Sequence, residues 1–248
     1  MSLCSICFFA YCLLVLCFFA FWFDLCAMKI LFEDYYLLVV EKPAGLSTEN
    51  GGAKHTSAEQ EALLYFTESL MSSSASKRLK ATPFLRVAHR LDRPASGILV
   101  LAKTKTALTH LMAQFEQRTV QKTYLAATER APALPSAELR HWLRKDEEGK
   151  KAQILEQQAR GTQLGTLRYR TLERVGKTAL LEVQPTTGRF HQIRAQLAHI
   201  GCPVIGDLAY GGHFWHLDQI KLHAHRLAFQ HPKTGEPLVI ESPKPSGW

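Results

Sequence analysis

The sequence predicts a mixed α/β (α+β) fold with a largely antiparallel central sheet and flanking helices. Short apolar runs rich in β-branched residues recur at 30–32, 37–40, 98–102, 122–127, 167–172, 178–183, 222–229 and 238–240. Two longer segments carry apolar residues at helical spacing instead. Because strands and helices do not alternate strictly, a parallel sheet of βαβ units is disfavoured.

The individual elements follow from local signals. The runs at 30–32 and 37–40 are separated by Glu33 and Asp34, a turn signal that predicts a hairpin. A helix is predicted over 57–71 with Ser57 as its N-cap, an amphipathic helix over 106–117, and a short helix within 188–199. The strands at 167–172 and 178–183 are predicted to pair across Val175 and Gly176. Residues 144–166 are polar and aperiodic, which predicts a long loop.

The first 27 residues differ in composition from the rest of the 248-residue chain. Residues 3–23 carry no charge, and five of the six cysteines lie within the first 26 residues. A run of this length is long enough to cross a bilayer. However, no basic segment precedes it, as a signal peptide requires, and Lys29 is the one nearby basic flank for an anchor. We expect a hydrophobic extension over 1–27, with translation starting at Met28, and one catalytic domain over 28–248.

The charge distribution favours a polyanionic partner. The formal net charge is +8, and eight basic residues lie between Lys77 and Lys105, where Asp92 is the one acidic residue. Nucleic acid is the simplest partner for such a chain. Cys202 is the one cysteine after residue 26, so it has no disulfide partner there, which fits the reducing cytosol. We therefore expect a cytoplasmic protein, membrane-anchored only if residues 3–23 serve as an anchor.

Common catalytic signatures are absent from the sequence. Although there are 11 histidines, no Cys-x-x-Cys or His-Glu-x-x-His spacing occurs in residues 28–248. There is no phosphate-loop signature, no Gly-x-Gly-x-x-Gly and no Gly-x-Ser-x-Gly elbow. The sequence therefore gives no support for a zinc site, a nucleotide cofactor or a serine hydrolase.

A series of short motifs occurs instead, and together they resemble one family. In order they are 42–46 (KPAGL), 89–97 (HRLDRPASG), 121–126 (QKTYLA), 185–194 (PTTGRFHQIR), 201–212 (GCPVIGDLAYGG), 222–224 (LHA) and 231–232 (HP). This ordered set, covering about 29–245, resembles the RluA family of RNA pseudouridine synthases. The resemblance implies the pseudouridine synthase catalytic fold and the isomerisation of uridines in RNA.

The resemblance also implies roles for individual residues. Asp92 corresponds to the family's nucleophile, Tyr124 to its active-site tyrosine and Arg189 to the arginine that pairs with the aspartate. Arg90 corresponds to the arginine that holds the target nucleotide out of its stack. His191 is expected to be a structural hydrogen-bonding residue. The residues expected to contact RNA are Arg90, His89, Arg93, Lys122 and Arg194.

The resemblance implies no cofactor and no metal. The partner is expected to be a structured RNA, ribosomal or transfer RNA, with no protein partner and a monomeric enzyme. A catalytically silent RNA-binding or ribosome-assembly factor of the same fold is the alternative, which the presence of Asp92, Tyr124 and Arg189 disfavours.

Overall fold

One central sheet organises the molecule. The computed structural model describes residues 28–49, 56–72, 82–146, 148 and 150–248. Within them lie eleven strands: β1 (Lys29–Glu33), β2 (Leu37–Lys42), β3 (Arg86–Val87), β4 (Ser96–Ala102), β5 (Gln121–Thr128), β6 (Ser136–Lys145), β7 (Ala152–Leu155), β8 (Gln163–Val175), β9 (Thr178–Pro185), β10 (Leu222–Gln230) and β11 (Pro237–Glu241). The helices are α1 (Ala58–Ser72), α2 (Lys105–Glu116) and α3 (Gln192–His199), with a 3-10 turn at Leu208–Tyr210.

The sheet is almost entirely antiparallel. Its order is β1-β2-β4-β10-β5-β9-β8-β6-β7, with β11 paired to β10 and β3 paired to β4. Among the described strands, only β4 and β10 run parallel, and they share two residue pairs, His223 with Ser96 and Ala224 with Gly97. The predicted fold class is therefore confirmed, as are the β1–β2 hairpin and the β8–β9 pairing.

Strands β2 and β4 are buried on both faces of the sheet. The even-numbered residues Leu38 and Val40 of β2 pack beneath α1, whereas Leu37 and Val39 pack with α2. Strand β4 divides its side chains in the same way. Because helices cover both faces, these strands form continuous apolar runs rather than an alternating pattern.

Both long helices begin where the sequence predicts. At α1, Ser57 Oγ accepts from the Gln60 backbone N–H (3.3 Å), while Gln60 Oε1 accepts from the Ser57 backbone N–H (3.0 Å). At α2, Thr104 Oγ1 accepts from the Ala107 N–H (3.1 Å). Each side-chain acceptor satisfies a backbone donor that has no partner inside the helix.

The loop predicted over 144–166 is wrong in part. Strand β6 ends at Lys145, β7 lies wholly inside the range, and β8 begins at Gln163. Strand β7 is at the edge of the sheet and β6 is its neighbour, so much of their surface faces water and accepts polar residues.

The hydrophobic extension predicted over 1–27 lies outside the described residues. No helix in the described ranges has the length and apolar character needed to span a membrane.

Candidate active site

A cavity of about 730 Å³ opens where β4 and β10 meet. Its walls come from the segment before β4, from β5, from the segment leading into α3 and from the end of α2. The cavity brings together all the predicted site residues except one: Asp92, Tyr124, Arg189, Arg90, His89, Lys122 and Arg194. The exception is Arg93, whose guanidinium forms an ion pair with Asp218 outside this lining.

Asp92 lies in a tight turn just before β4. Its backbone carbonyl accepts from the Ala95 N–H (3.0 Å). The preceding Leu91 is held at both backbone groups by Thr48, whose hydroxyl donates to the carbonyl (2.8 Å) and accepts from the N–H (3.1 Å). The turn is thereby fixed to a neighbouring segment, while the Asp92 side chain keeps 27% of its surface exposed.

Lys42 stabilises the same turn through hydrogen bonds to backbone carbonyls. Its side chain is fully buried, and Nζ donates to the carbonyls of Pro43 (2.8 Å), Leu46 (2.8 Å) and Arg93 (3.2 Å). Burial lowers the pKa of Lys42 to about 7, and the nearby Asp92 charge opposes that shift. Lys42 belongs to the 42–46 motif, but nothing in the sequence indicates that its side chain contacts the carbonyl of Arg93.

The arginine paired with Asp92 is Arg194, which corrects the expectation for Arg189. Arg194 Nη1 lies 3.2 Å from Asp92 Oδ2. Arg189 has no ion pair within the described ranges; its Nε donates to the Leu164 carbonyl (3.1 Å). Arg189 precedes α3, whereas Arg194 is its third residue, so the start of the helix at Gln192 directs Arg194 towards Asp92.

A second carboxylate holds Arg194 in place. Asp207 is buried, and its two oxygens accept from Arg194 Nε (2.7 Å) and Nη2 (2.8 Å). The guanidinium also lies 5.1 Å from the ring of Tyr210. Burial disfavours the charged guanidinium, but hydrogen bonds and charge from Asp207 and Asp92 outweigh that cost and raise the pKa of Arg194. A permanently charged, fixed arginine therefore faces the Asp92 carboxylate.

Tyr124 is held as a neutral phenol beside Asp92. It lies on β5, between Val183 of β9 and Ala224 of β10. Burial, and then the Asp92 charge, raise the pKa of Tyr124 far above its ordinary value. Its hydroxyl makes no hydrogen bond to the described part of the chain, so it is free to meet a bound group in the cavity.

His191 and Tyr210 complete the surroundings of Asp92. His191 has a left-handed backbone (φ 49°) at the start of α3, and its Nε2 lies 3.9 Å from Asp92 Oδ2. Its Nδ1 hydrogen-bonds the Tyr210 hydroxyl (3.1 Å), which also accepts from the Ala152 N–H (2.6 Å). Burial lowers the pKa of His191, although Asp92 opposes the shift. Sequence reasoning flagged the stretch containing Asp207 and Tyr210 but assigned neither a role.

Two predicted RNA contacts differ in their surroundings. Arg90 is 78% exposed at the mouth of the cavity, with Glu49 at 3.6 Å. His89 is half-buried and stacks on Phe115, and its Nε2 accepts from the Val100 N–H (3.2 Å). Burial, and then the charge of Lys122, lower the pKa of His89 to about 4. Its contacts within the chain are those of a neutral ring that supports the cavity wall.

Comparisons with known proteins agree with this arrangement. The model of the RNA pseudouridylate synthase family matches residues 36–199. Ribosomal large subunit pseudouridine synthase C of Vibrio cholerae is 32% identical over 231 residues, which cover 86% of this chain and 65% of that protein. The synthase C of Pasteurella multocida is 35% identical over 222 residues, covering 87% of this chain and 64% of that protein. The chain thus spans slightly less than two thirds of these relatives' length.

A solved structure shares the fold. Human RNA Pseudouridylate Synthase Domain Containing 4 superimposes with a TM-score of 0.70 at 25% identity, covering 88% of this chain and 89% of that one. With the family match spanning more than half of the sequence, the chain belongs to the RluA family of RNA pseudouridylate synthases.

Proposed function

We propose that this chain isomerises specific uridines in a structured RNA to pseudouridine, with Asp92 as the nucleophile. One observation carries the proposal. Asp92 Oδ2 is anchored by Arg194 (3.2 Å), whereas nothing in the described residues hydrogen-bonds Oδ1. The second oxygen is thus available in a cavity of about 730 Å³, a volume typical of small-ligand sites.

The chemistry suits a carboxylate held in this way. The N1–C1′ bond of uridine must break, the base must turn, and C5 must bond to C1′ before it loses its proton. A carboxylate can attack C1′ and form a glycosyl ester, or it can support a glycal intermediate as charge develops. Both routes need an ionised oxygen close to C1′, which a fixed arginine on the other oxygen favours.

Tyr124 is proposed to contact the base during this rearrangement. Its ring can stack on uracil, and its neutral phenol can exchange a proton with the base. The target nucleotide has to leave its stack to reach such a cavity. Arg90, exposed at the mouth, is proposed to hold the nucleotide in this extruded position.

Ribosomal RNA is the proposed substrate. The relatives named above are described as acting on the large ribosomal subunit. Transfer RNA is the second candidate, because the 88–94 stretch (AHRLDRP) resembles the tRNA-modifying branch of the family. We propose further that 28–248 is the catalytic unit and acts in the cytoplasm, which fractionation of cells expressing the native gene tests.

Chemical mapping of pseudouridines in total RNA tests the function. The parent strain, a strain lacking this gene and the same strain re-expressing it are compared. We expect at least one uridine to lose its modification in the deletion strain and to regain it on re-expression. Identical maps in all three strains would overturn the proposal and favour the silent RNA-binding alternative.

A further inference from the structure

Three cations at one end of the cavity have no acidic partner among the residues that the structure describes. Arg118, Lys122 and Arg189, called here the basic triad, all line the cavity. Within the described ranges, no ion pair involves any of them. The other two arginines of the lining are paired, Arg90 with Glu49 and Arg194 with two aspartates.

Each member of the triad is placed by a different element. Arg118 follows the end of α2, where a left-handed backbone (φ 60°) turns the chain. Lys122 lies on the same face of β5 as Tyr124, two residues further along. Arg189 is held by its Nε bond to the Leu164 carbonyl (3.1 Å), and its other guanidinium nitrogens have no acceptor among the described residues.

The space around the Lys122 ammonium remains open on one side. Nζ has a long contact with the Thr187 carbonyl (3.5 Å). A β-carbon at Gly188 would lie 3.6 Å from Nζ, so the glycine leaves room next to the ammonium. An ammonium carries three donors, and one weak protein acceptor leaves most of this capacity for a ligand.

The triad members repel one another. Burial, and then the Arg118 charge, lower the pKa of Lys122, and the same two causes lower the pKa of Arg189. Glu116 is the acidic residue of the lining at this end, but it is exposed and outside ion-pair distance of the triad. A bound anion would relieve the repulsion and pair with all three cations.

We propose that the basic triad is a phosphate-binding site, which holds a backbone phosphate of the RNA next to the nucleotide in the cavity. This inference rests on the proposed function, because it assumes that a nucleotide occupies the cavity. The phosphates of a strand are attached to the same ribose whose C1′ must meet Asp92. Fixing one of them would set the position of C1′ relative to the carboxylate.

Calorimetric binding of uridine and of uridine 3′,5′-bisphosphate tests the site. Asp92→Asn protein is used, so that no reaction occurs. We expect the bisphosphate to bind at least about tenfold more tightly than uridine, since charge-assisted hydrogen bonds are strong. Arg118→Asn, Lys122→Gln and Arg189→Gln should each remove about tenfold from bisphosphate affinity and leave uridine affinity unchanged.

Arg118→Asn is the decisive variant. The Arg118 side chain is exposed and makes no hydrogen bond to the described part of the chain, and asparagine tolerates the left-handed backbone. Lys177→Gln is the matched control, because Lys177 is exposed, lies in the β8–β9 turn and has no ion pair within the described ranges. Equal affinity for the two probes, or triad variants that behave as Lys177→Gln, would overturn the site.

Failure of this inference is distinguishable from failure of the proposed function. Binding is measured without turnover, whereas the function is read from pseudouridine maps. If the maps change in the deletion strain but the triad variants bind the bisphosphate as tightly as the unsubstituted triad, the phosphate site is overturned and the proposed enzymatic function stands. Unchanged maps with a triad effect would leave a phosphate-binding cavity in a chain that does not isomerise uridine.

Discussion

At the scale of single residues, the ion pair between Asp92 and Arg194 is the central feature of the site. Arg194 bridges two carboxylates, the buried Asp207 and the partly exposed Asp92. Two hydrogen bonds to Asp207, from Nε and Nη2, fix the guanidinium, and Nη1 donates to Asp92. Arg194 therefore orients the Asp92 carboxylate without occupying both of its oxygens.

Replacing Arg194 is expected to affect stability as well as activity. In Arg194→Gln, Asp207 keeps its charge in a buried position without its partner, which costs about 3 kcal/mol or more. Urea denaturation measures the loss. Arg189→Gln serves as the comparison and should stay within about 1 kcal/mol of wild type, because it removes one hydrogen bond to a carbonyl. Equal losses in the two variants would contradict the assignment of Arg194 as the buried ion-pair partner.

Tyr124→Phe separates folding from chemistry. The hydroxyl has no hydrogen bond to the described residues, so stability should change by less than about 1 kcal/mol. Phenylalanine keeps the stacking surface but cannot exchange a proton, so the rate should fall by about 100-fold or more. The measurement is release of tritium from C5-tritiated RNA of the deletion strain. A rate equal to wild type would show that the phenol takes no part.

The sequence predicted that Asp92 and Tyr124 share a site, and both line the cavity, but it predicted the wrong arginine as the partner of Asp92. Arg189 and Arg194 stand five residues apart in one motif, and local pattern does not say which one points at Asp92. That depends on where α3 begins. Lys42, Asp207 and Tyr210 contribute through contacts between segments distant in sequence, for which a single chain carries no local signal.

At the scale of elements, the seam between β4 and β10 positions the turn before β4. The two strands share only two residue pairs among the described positions, directly after the turn that carries Asp92. Gly97 has φ +116°, and a β-carbon there would lie 2.4 Å from the Ala224 carbonyl oxygen and 2.5 Å from its nitrogen. Only a residue without a side chain permits this close approach.

Gly97→Ala is expected to open this seam. The clash is with backbone, which cannot move without displacing β10, so we expect a loss of about 3 kcal/mol in unfolding free energy together with reduced activity. Gly176→Ala is the control, since Gly176 also has positive φ (+59°) but nothing within 4 Å. It should cost about 1 kcal/mol by backbone strain alone. A Gly97 effect no larger than the Gly176 effect would contradict the steric explanation.

The elements that the sequence predicted are those with a strong local pattern. The β1–β2 hairpin has a turn signal between apolar runs, α1 has an N-cap signal and helical periodicity, and α2 has a clear apolar face. Strand β6 was missed because its buried residues, Leu139 and Leu143, do not form a continuous apolar run. Arg140, His141 and Trp142 separate them, and the other residues of the strand are exposed or half-buried. Strand β7 has four residues, and it is stabilised by hairpin pairing with β6, a cross-strand contact that the propensities of four residues do not encode.

At the scale of the whole molecule, a buried polar network joins the two sides of the seam. His223 on β10 is fully buried, with Nδ1 2.8 Å from Ser96 Oγ and Nε2 2.9 Å from Ser242 Oγ. The Ser242 hydroxyl donates to Glu41 on β2 (2.7 Å). The network therefore connects strands β2, β4 and β10 across the seam.

This network predicts a loss of stability in acid. Burial lowers the pKa of His223 from 6.5 to about 4, although Glu41 opposes the shift. Between these values the unfolded chain binds a proton that the folded chain does not, so stability is present above pH 6.5 and is lost as pH falls towards 4. The contribution is about 3 kcal/mol.

Urea denaturation between pH 7.5 and 4.5 measures this dependence. His223→Gln should be less stable than wild type at neutral pH. Its free energy of unfolding should also fall less steeply as the pH is lowered, because its unfolding takes up about one proton fewer. His216→Asn, a change at an exposed histidine, should keep the wild-type slope. Equal slopes for wild type and His223→Gln would contradict the assignment.

The most direct test of the central claim is the rate of C5-tritium release with Asp92→Asn. The substituted side chain keeps its shape, and Arg194 keeps both bonds to Asp207, so folding and RNA binding should remain close to wild type. Glu173→Gln, at an exposed position on β8, is the control with one carboxylate removed elsewhere. We expect no detectable release from Asp92→Asn and wild-type release from the control; release by Asp92→Asn at the wild-type rate would contradict the role of Asp92 as the nucleophile.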